Sequence, residues 1–212
     1  MTKKLKILIR TSGGSALKKQ LGLGHVYRCL SLCSYLKPNQ IYFLIEDYGG
    51  VRQIFENKKY SKTHYVKKDI DVNTDISKTI SFIKEKKIDL VIIDKYDIDV
   101  RYSKKLRNYA KVVVISDLKN INYDADLIIN GFIGFRNHII KNKFGAKCIL
   151  GPSIQILNEN FSKNKNQNQC EQYDLLITLG GFDEKNIIGF LLKPLTEFVD
   201  QLKIKIILGP ST

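Results

Sequence analysis

The segment Gly22-Leu23-Gly24-His25, with Arg28 three residues on, holds the residue types most suited to chemistry in this 212-residue chain. It follows a loop that opens Ser12-Gly13-Gly14, and that loop follows an apolar run read as a first strand, Leu5 to Thr11. Glycine lets a backbone approach a ligand closely. A helix N-terminus supplies unpaired N–H groups and a field that favours anions. The same field favours neutral imidazole, the form that accepts a proton. His25 is therefore read as a general base, and Arg28 as a clamp for a phosphate or carboxylate. Gly13, Gly14, Gly22 and Gly24 are candidate backbone contacts to a substrate. These residues fit a plainer reading equally well, a helix-capping histidine among turn-forming glycines. The third glycine of a dinucleotide fingerprint is absent at the required spacing, although Glu46 or Asp47 could serve as its acidic residue.

Other polar residues fall where strands end. Asp94-Lys95-Tyr96 closes the run Leu90 to Ile93, and a tyrosine there could donate to a sugar or brace a base. Asn130 closes Leu127 to Ile129. Asp94 and Asn130 are candidate substrate contacts, and Tyr96 joins His25 as a candidate catalytic residue. Leu179-Gly180-Gly181-Phe182-Asp183 leads from strand to helix and suits phosphate or ribose binding through Gly180, Gly181 and Asp183. The plainer alternatives are a surface turn and a βα loop with Asp183 as N-cap. His64 and His138 have no partner at metal spacing. Cys29, Cys33, Cys148 and Cys170 form no C-x-x-C pair, so zinc is not expected and buried free thiols are.

The elements that would position these residues alternate. Helices are expected over 24–36, closed by Pro38, and over 51–58, 75–86 and 100–109. Strands are expected at Ile41 to Ile45, His64 to Val66, Leu90 to Ile93, Val112 to Ile115 and Leu127 to Ile129. Continuous Ile- and Val-rich strands are buried on both faces, so the fold class is α/β with a parallel sheet between helix layers. Such sheets bind ligands at the carboxyl ends of their strands. Residues 158–172 are polar and low in complexity, which predicts a linker between a Rossmann-like domain over 1–157 and a unit over 173–212. That unit reads as strand, helix over 184–201 and strand, too little to cover a sheet alone. It is expected to be the start of a second domain cut short.

Composition narrows the partners. Lys and Arg number 35 against 21 Asp and Glu, a net charge of +14. Lysines spread through every segment outweigh any basic block, which argues for a solvated surface over a nucleic-acid groove. A modest attraction for phosphate-bearing substrates remains. The chain lacks an 18-residue apolar stretch and a signal-peptide pattern, so a cytoplasmic protein without a membrane span is expected.

Taken in order, the segments resemble a known family. Ile9-Arg10-Thr11-Ser12 followed by Gly22-Leu23-Gly24-His25 and Arg28 is similar to the opening of the pseudaminic-acid pathway UDP-sugar hydrolases, the UDP-2,4-diacetamido-2,4,6-trideoxy-β-L-altropyranose hydrolases. These are related to spore-coat polysaccharide proteins and to the GlcNAc transferases of peptidoglycan synthesis. Leu90 to Tyr96 resembles the family's strand ending in Asp-His-Tyr. Ile115-Ser116-Asp117 and Ala125 to Asn130 resemble its next two strands. Gly151-Pro152-Ser153 through Phe161 resembles its crossover, and Leu179 to Asp183 the start of its C-terminal domain. The resemblance implies a GT-B fold, two Rossmann-like domains facing a cleft, with the sugar or acceptor on the first and UDP on the second. It implies His25 as the base for water, Tyr96 lining the site, a UDP-sugar substrate, and no metal or organic cofactor. Two features depart from the pattern: Lys95 stands where the family has histidine, and the loop through Ser15 to Gln20 is longer. Either fits a different sugar or a glycosyltransferase. A half-enzyme that takes its UDP domain from a partner chain is a third expectation.

Overall fold

The computed structural model describes residues 4–16, 19–57, 62–163, 172–180, 183 and 185–209. The chain opens with β1 (Lys6–Thr11), then a short antiparallel pair, β2 (Gly14–Ala16) and β3 (Lys19–Gly22). Next come α1 (Gly24–Tyr35), β4 (Gln40–Glu46), α2 (Val51–Asn57) and β5 (Thr63–Val66). The crossover helix α3 (Val72–Lys86) leads to β6 (Leu90–Asp94), α4 (Val100–Arg107), β7 (Lys111–Ser116) and β8 (Leu127–Asn130). β9 (His138–Lys141), β10 (Lys147–Leu150) and the short α5 (Asn160–Lys163) follow. The last elements are β11 (Leu175–Thr178), α6 (Ile187–Leu195) and β12 (Ile204–Ile207).

Eight strands form one sheet in the order β5-β4-β1-β6-β7-β8-β10-β9. Each neighbouring pair is parallel except β9 with β10. The protein is therefore α/β with a large, mostly parallel, Rossmann-like sheet. The order runs outward from β1 in one direction through β4 and β5, then restarts on its other side with β6. That reversal leaves a crevice between the ends of β1 and β6, the topological switch point at which open α/β sheets bind ligands.

Alternation along the strands divides the core. Leu8, Leu44, Val91, Ile93 and Val114 face Ile76, Ile83, Tyr102 and Leu106 of α3 and α4. Ile7, Ile9, Phe43, Ile45 and Ile92 face Val26, Cys29 and Cys33 of α1, and Val51 and Phe55 of α2. Residues one step further along β1, β4 and β6 continue this alternation into polar groups, so each layer delivers its own set to the sheet edge.

Several boundaries differ from expectation. α3 begins at Val72, not at residue 75, because the Asp71 carboxylate accepts from the backbone N–H of Asn73 and Thr74 and caps the helix earlier. The helix expected over 184–201 is shorter: α6 spans Ile187–Leu195, with Pro194 inside it, and tightens to a 3-10 turn at Thr196–Phe198. β9 and β10 went unassigned in the sequence; β9 is exposed throughout and carries no burial pattern to read. The expected loop between β1 and α1 holds the β2–β3 pair. Ser15 on it exchanges backbone hydrogen bonds with Gly49, tying it to the turn before α2. β11 and β12 pair in parallel as a separate two-stranded sheet. Among the described residues no helix is long and apolar enough to cross a membrane.

Gly14 is held at φ +108°, and a Cβ there would lie 2.6 Å from the Gly49 carbonyl oxygen. A Cβ at Gly24 would meet nothing within 4 Å. Gly14→Ala is expected to lower unfolding stability by about 1–3 kcal/mol, the usual worth of one strained backbone site. Gly24→Ala, at an ordinary helical position, is expected to leave it unchanged or slightly raised. Urea denaturation of the two variants checks the contrast.

Candidate functional site

β6 delivers Asp94 to the switch point, on the layer that faces α1. Its carboxylate is fully buried and is gripped from one helix turn. Oδ1 accepts from His25 Nδ1 at 2.6 Å and from Arg28 Nη2 at 2.6 Å. Oδ2 accepts from Arg28 Nε at 2.8 Å and from the Cys29 thiol at 3.5 Å. α1 can do this because residues 25, 28 and 29 share one face of a helix. Burial pushes the Asp94 carboxyl upward, but hydrogen bonds from Arg28 and His25 outweigh it and hold the pKa below the ordinary carboxylate value. Burial, then Asp94, raises the Cys29 thiol well above its usual range, so it stays a protonated donor.

This grip sets the tautomer of His25. An ionised carboxylate only accepts, so Nδ1 must carry the hydrogen that points at Asp94. Arg28 Nη2 lies 3.0 Å from the same nitrogen, a neighbour and not a donor to it. In the neutral ring Nε2 is then left with its lone pair, the arrangement a general base needs. The Tyr96 ring meets the imidazole edge-on, with centroids 4.3 Å apart at 86°. Burial, then the Asp117 carboxylate, raises the Tyr96 hydroxyl above its ordinary value, which keeps it a donor. Arg28 Nη1 also reaches Asp117 at 3.2 Å.

His25, Arg28, Tyr96 and Asp117 form one side of a cleft of about 460 Å3. Ile156, Leu157 and Phe161 supply an apolar side, and Gly24 lies at the helix start. The structure thus brings together His25, Gly24, Arg28 and Tyr96, with Asp94 directly behind them. It packs Gly13 and Gly14 against protein: a Cβ at Gly13 would lie 2.7 Å from Val26, and Gly14 abuts Gly49, whereas a Cβ at Gly22 would meet nothing within 4 Å. Gly22 is in the left-handed region, at φ +66°, in the turn into α1. Asn130 is buried and braces backbone, donating to the Leu118 carbonyl at 2.7 Å and accepting from Phe132 N–H at 2.9 Å. Gly180 is exposed at φ +80°. Asp183 accepts from the N–H groups of Ile187 and Ile188 at 2.7 and 2.8 Å. Gly181 lies outside the described residues.

Sequence reasoning did not find the polar group on the opposite layer. Arg10, fully buried, donates to Asp75 at 2.9 and 2.8 Å and to Glu46 at 3.0 Å. Lys95 joins the same two carboxylates, 2.8 Å from Asp75 and 2.9 Å from Glu46. Two cations and two anions neutralise one another, as burial of charge requires. A signal was present: an arginine inside an apolar strand is a charge in need of a partner. Glu46, weighed as a ribose-binding acid, is instead held in this group, and Asp47 pairs with Arg52 at 2.7 Å.

No protein-family model matches the chain. An uncharacterized protein of Methanocaldococcus jannaschii is 32% identical over 98% of this chain and 43% of its own length. The UDP-2,4-diacetamido-2,4,6-trideoxy-beta-L-altropyranose hydrolase of Campylobacter jejuni is 27% identical over 86% of this chain and 63% of its own. The chain thus spans less than two thirds of either relative. Fold and site define a Rossmann-like α/β protein with a histidine–carboxylate pair at its switch point. Its particular likeness is to these two proteins.

The carboxyls of Asp94 and Asp75 both lie below the ordinary value of 3.8 in the folded state; for Asp75 burial opposes this and Arg10 and Lys95 outweigh it. Their contribution to stability is complete above that value and is lost as pH falls through the lower folded values. Denaturation midpoints measured from neutral pH downward should fall steeply below 3.8. Asp94→Asn should start lower and fall less steeply.

Proposed function

We propose that the protein acts on a nucleotide-linked sugar, with His25 Nε2 as the base that activates a water for attack at the anomeric carbon. The single observation that carries this reading is the Asp94–His25 pair, which leaves Nε2 as the acceptor beside an open cleft. Water would lose its proton to Nε2 as its oxygen bonds to the anomeric carbon. The bond from that carbon to the diphosphate would break on the opposite face, giving inversion, free sugar and UDP. Asp94 stabilises the imidazolium formed, and Arg28 fixes Asp94. Tyr96 buttresses the imidazole and offers a hydroxyl to the sugar. The Campylobacter relative is named for hydrolysis of a UDP-linked diacetamido sugar, which supports UDP as the leaving group and an acetamido sugar as the substrate class.

The same reading extends to architecture. We infer a GT-B arrangement in which the eight-stranded sheet carries the sugar side, and residues 173–212, beyond a linker at 158–172, begin a second Rossmann-like unit. Gly180, Gly181 and Asp183 would there lie near the nucleotide.

The decisive measurement is UDP release from UDP-sugars with no acceptor added. His25→Ala is expected to lower kcat by about 10²–10⁴-fold, the usual contribution of a positioned general base, with the fold intact by circular dichroism. Unchanged turnover would remove His25 from the mechanism. UDP release that strictly needs an acceptor hydroxyl would make the protein a glycosyltransferase using the same base.

A further inference from the structure

Two adjacent strands end in the same way. Ile92 of β6 packs in the layer that faces α1, and Asp94, two residues on, points the same way. Ile115 of β7 packs in that layer too, and Asp117 follows it at the same step. Arg28 bridges the two carboxylates, with Nε and Nη2 on Asp94 and Nη1 on Asp117. Asp94 is buried, whereas the Asp117 side chain is 48% exposed and lines the cleft beside His25 and Tyr96. We propose that Asp117 is a further catalytic residue, whose carboxylate stabilises the positive charge that develops on the sugar ring in the transition state. The inference rests on the nucleotide-sugar reading above.

The balance of charge points this way. One arginine stands between two carboxylates, so with a neutral His25 the group carries a net charge of −1. The whole chain carries +14, so the sign reverses locally. This end of the cleft repels a diphosphate and attracts a cation. Displacement at an anomeric carbon passes through a state that resembles an oxocarbenium ion. Two positive charges then develop together. One forms on the imidazole as it takes the proton from water, the other on the ring as the bond to diphosphate lengthens. Asp94 faces the first. Asp117, across the Arg28 guanidinium from His25, is placed for the second. Asp117 forms no bond to the sugar: water supplies the new bond, and the diphosphate leaves with the electron pair.

Stability does not account for Asp117. Arg28 is already held by two bonds to Asp94, and an ion pair open to solvent adds little. Asp117 Oδ2 accepts from Arg28, while among the described residues nothing donates to Oδ1. That oxygen is left for a ligand. A pyranose filling the cleft would displace water from around it, which strengthens its field. The apolar side formed by Ile156, Leu157 and Phe161 excludes water further.

The test uses the full chain and matched ring probes: 1,5-imino-hexitols, which carry a ring ammonium at neutral pH, and the neutral 1,5-anhydrohexitols of the same configuration. Gluco, galacto and altro pairs are titrated by calorimetry with UDP present, which reads binding without turnover. In at least one pair the imino probe is expected to bind about tenfold tighter, a small part of what resemblance to a transition state can supply. Asp117→Asn is expected to bring that ratio to within about twofold while the anhydro probe binds as before, and Asp117→Glu to keep most of the preference. In UDP release, Asp117→Asn is expected to lower kcat about 10- to 100-fold, less than a fully enclosed electrostatic contact provides, with KM changed less than about threefold. An imino probe that binds no tighter than its anhydro partner in every pair, or a ratio that survives Asp117→Asn, would overturn the proposal. Equal weakening of both probes in Asp117→Asn would also overturn it, since that marks a residue acting only through Arg28. Asp117→Ser, smaller and equally uncharged, decides if Asp117→Asn does not fold. An Asp117-dependent preference for the cation without UDP release would sink the hydrolase reading alone. UDP release at unchanged kcat in Asp117→Asn would sink the role of Asp117 alone.

Discussion

The site depends on keeping one carboxylate charged where water cannot reach it. Asp94 ends a central strand in a fully buried position, where an unpaired charge would not persist. α1 solves this with a bidentate arginine, an imidazole N–H and a thiol, all from its first two turns. That arrangement has a functional by-product. With Nδ1 committed to Asp94, the imidazole can present only Nε2 to the cleft. The electrostatic need of the fold and the tautomer of His25 are thus one interaction seen from two sides.

A second buried group stands across the sheet. Arg10, Glu46, Asp75 and Lys95 come from β1, β4, α3 and the turn after β6, so the group forms only when those elements meet at the switch point. It fixes the crossover helix to the three strands on which the site is built. Breaking such a group by removing one member leaves an uncompensated charge, which typically costs about 3–5 kcal/mol. Its members thus hold the Asp94-Lys95-Tyr96 turn in place from behind while Asp94 is held from the front.

The glycines of the opening loop illustrate how a motif can be right in place and mixed in purpose. All four lie around the turn into α1. Gly24 borders the cleft, whereas Gly13 and Gly14 leave room for Val26 and for the Gly49 carbonyl. A sequence cannot separate these uses, because ligand and backbone demand the same thing of glycine, the absence of a Cβ.

Periodicity determined the strand–helix alternation and the α/β class, and the glycine turn before α1 and the residues that follow the β6 run offered His25 and Tyr96 as candidates at the sheet edge. Those are local properties, carried by Ile- and Val-rich runs and by which residue follows each run. The register of β1 against β6 lay beyond it, and with it the pairing of His25 with a carboxylate 69 positions away. So did the neutral group around Arg10, whose members are spread from β1 to the turn after β6. β9 escaped because an exposed edge strand has no buried face to pattern it. Tertiary structure decided these matters for one reason: a buried charge is tolerated only beside its partner, and partners meet through strand order, which no single segment encodes.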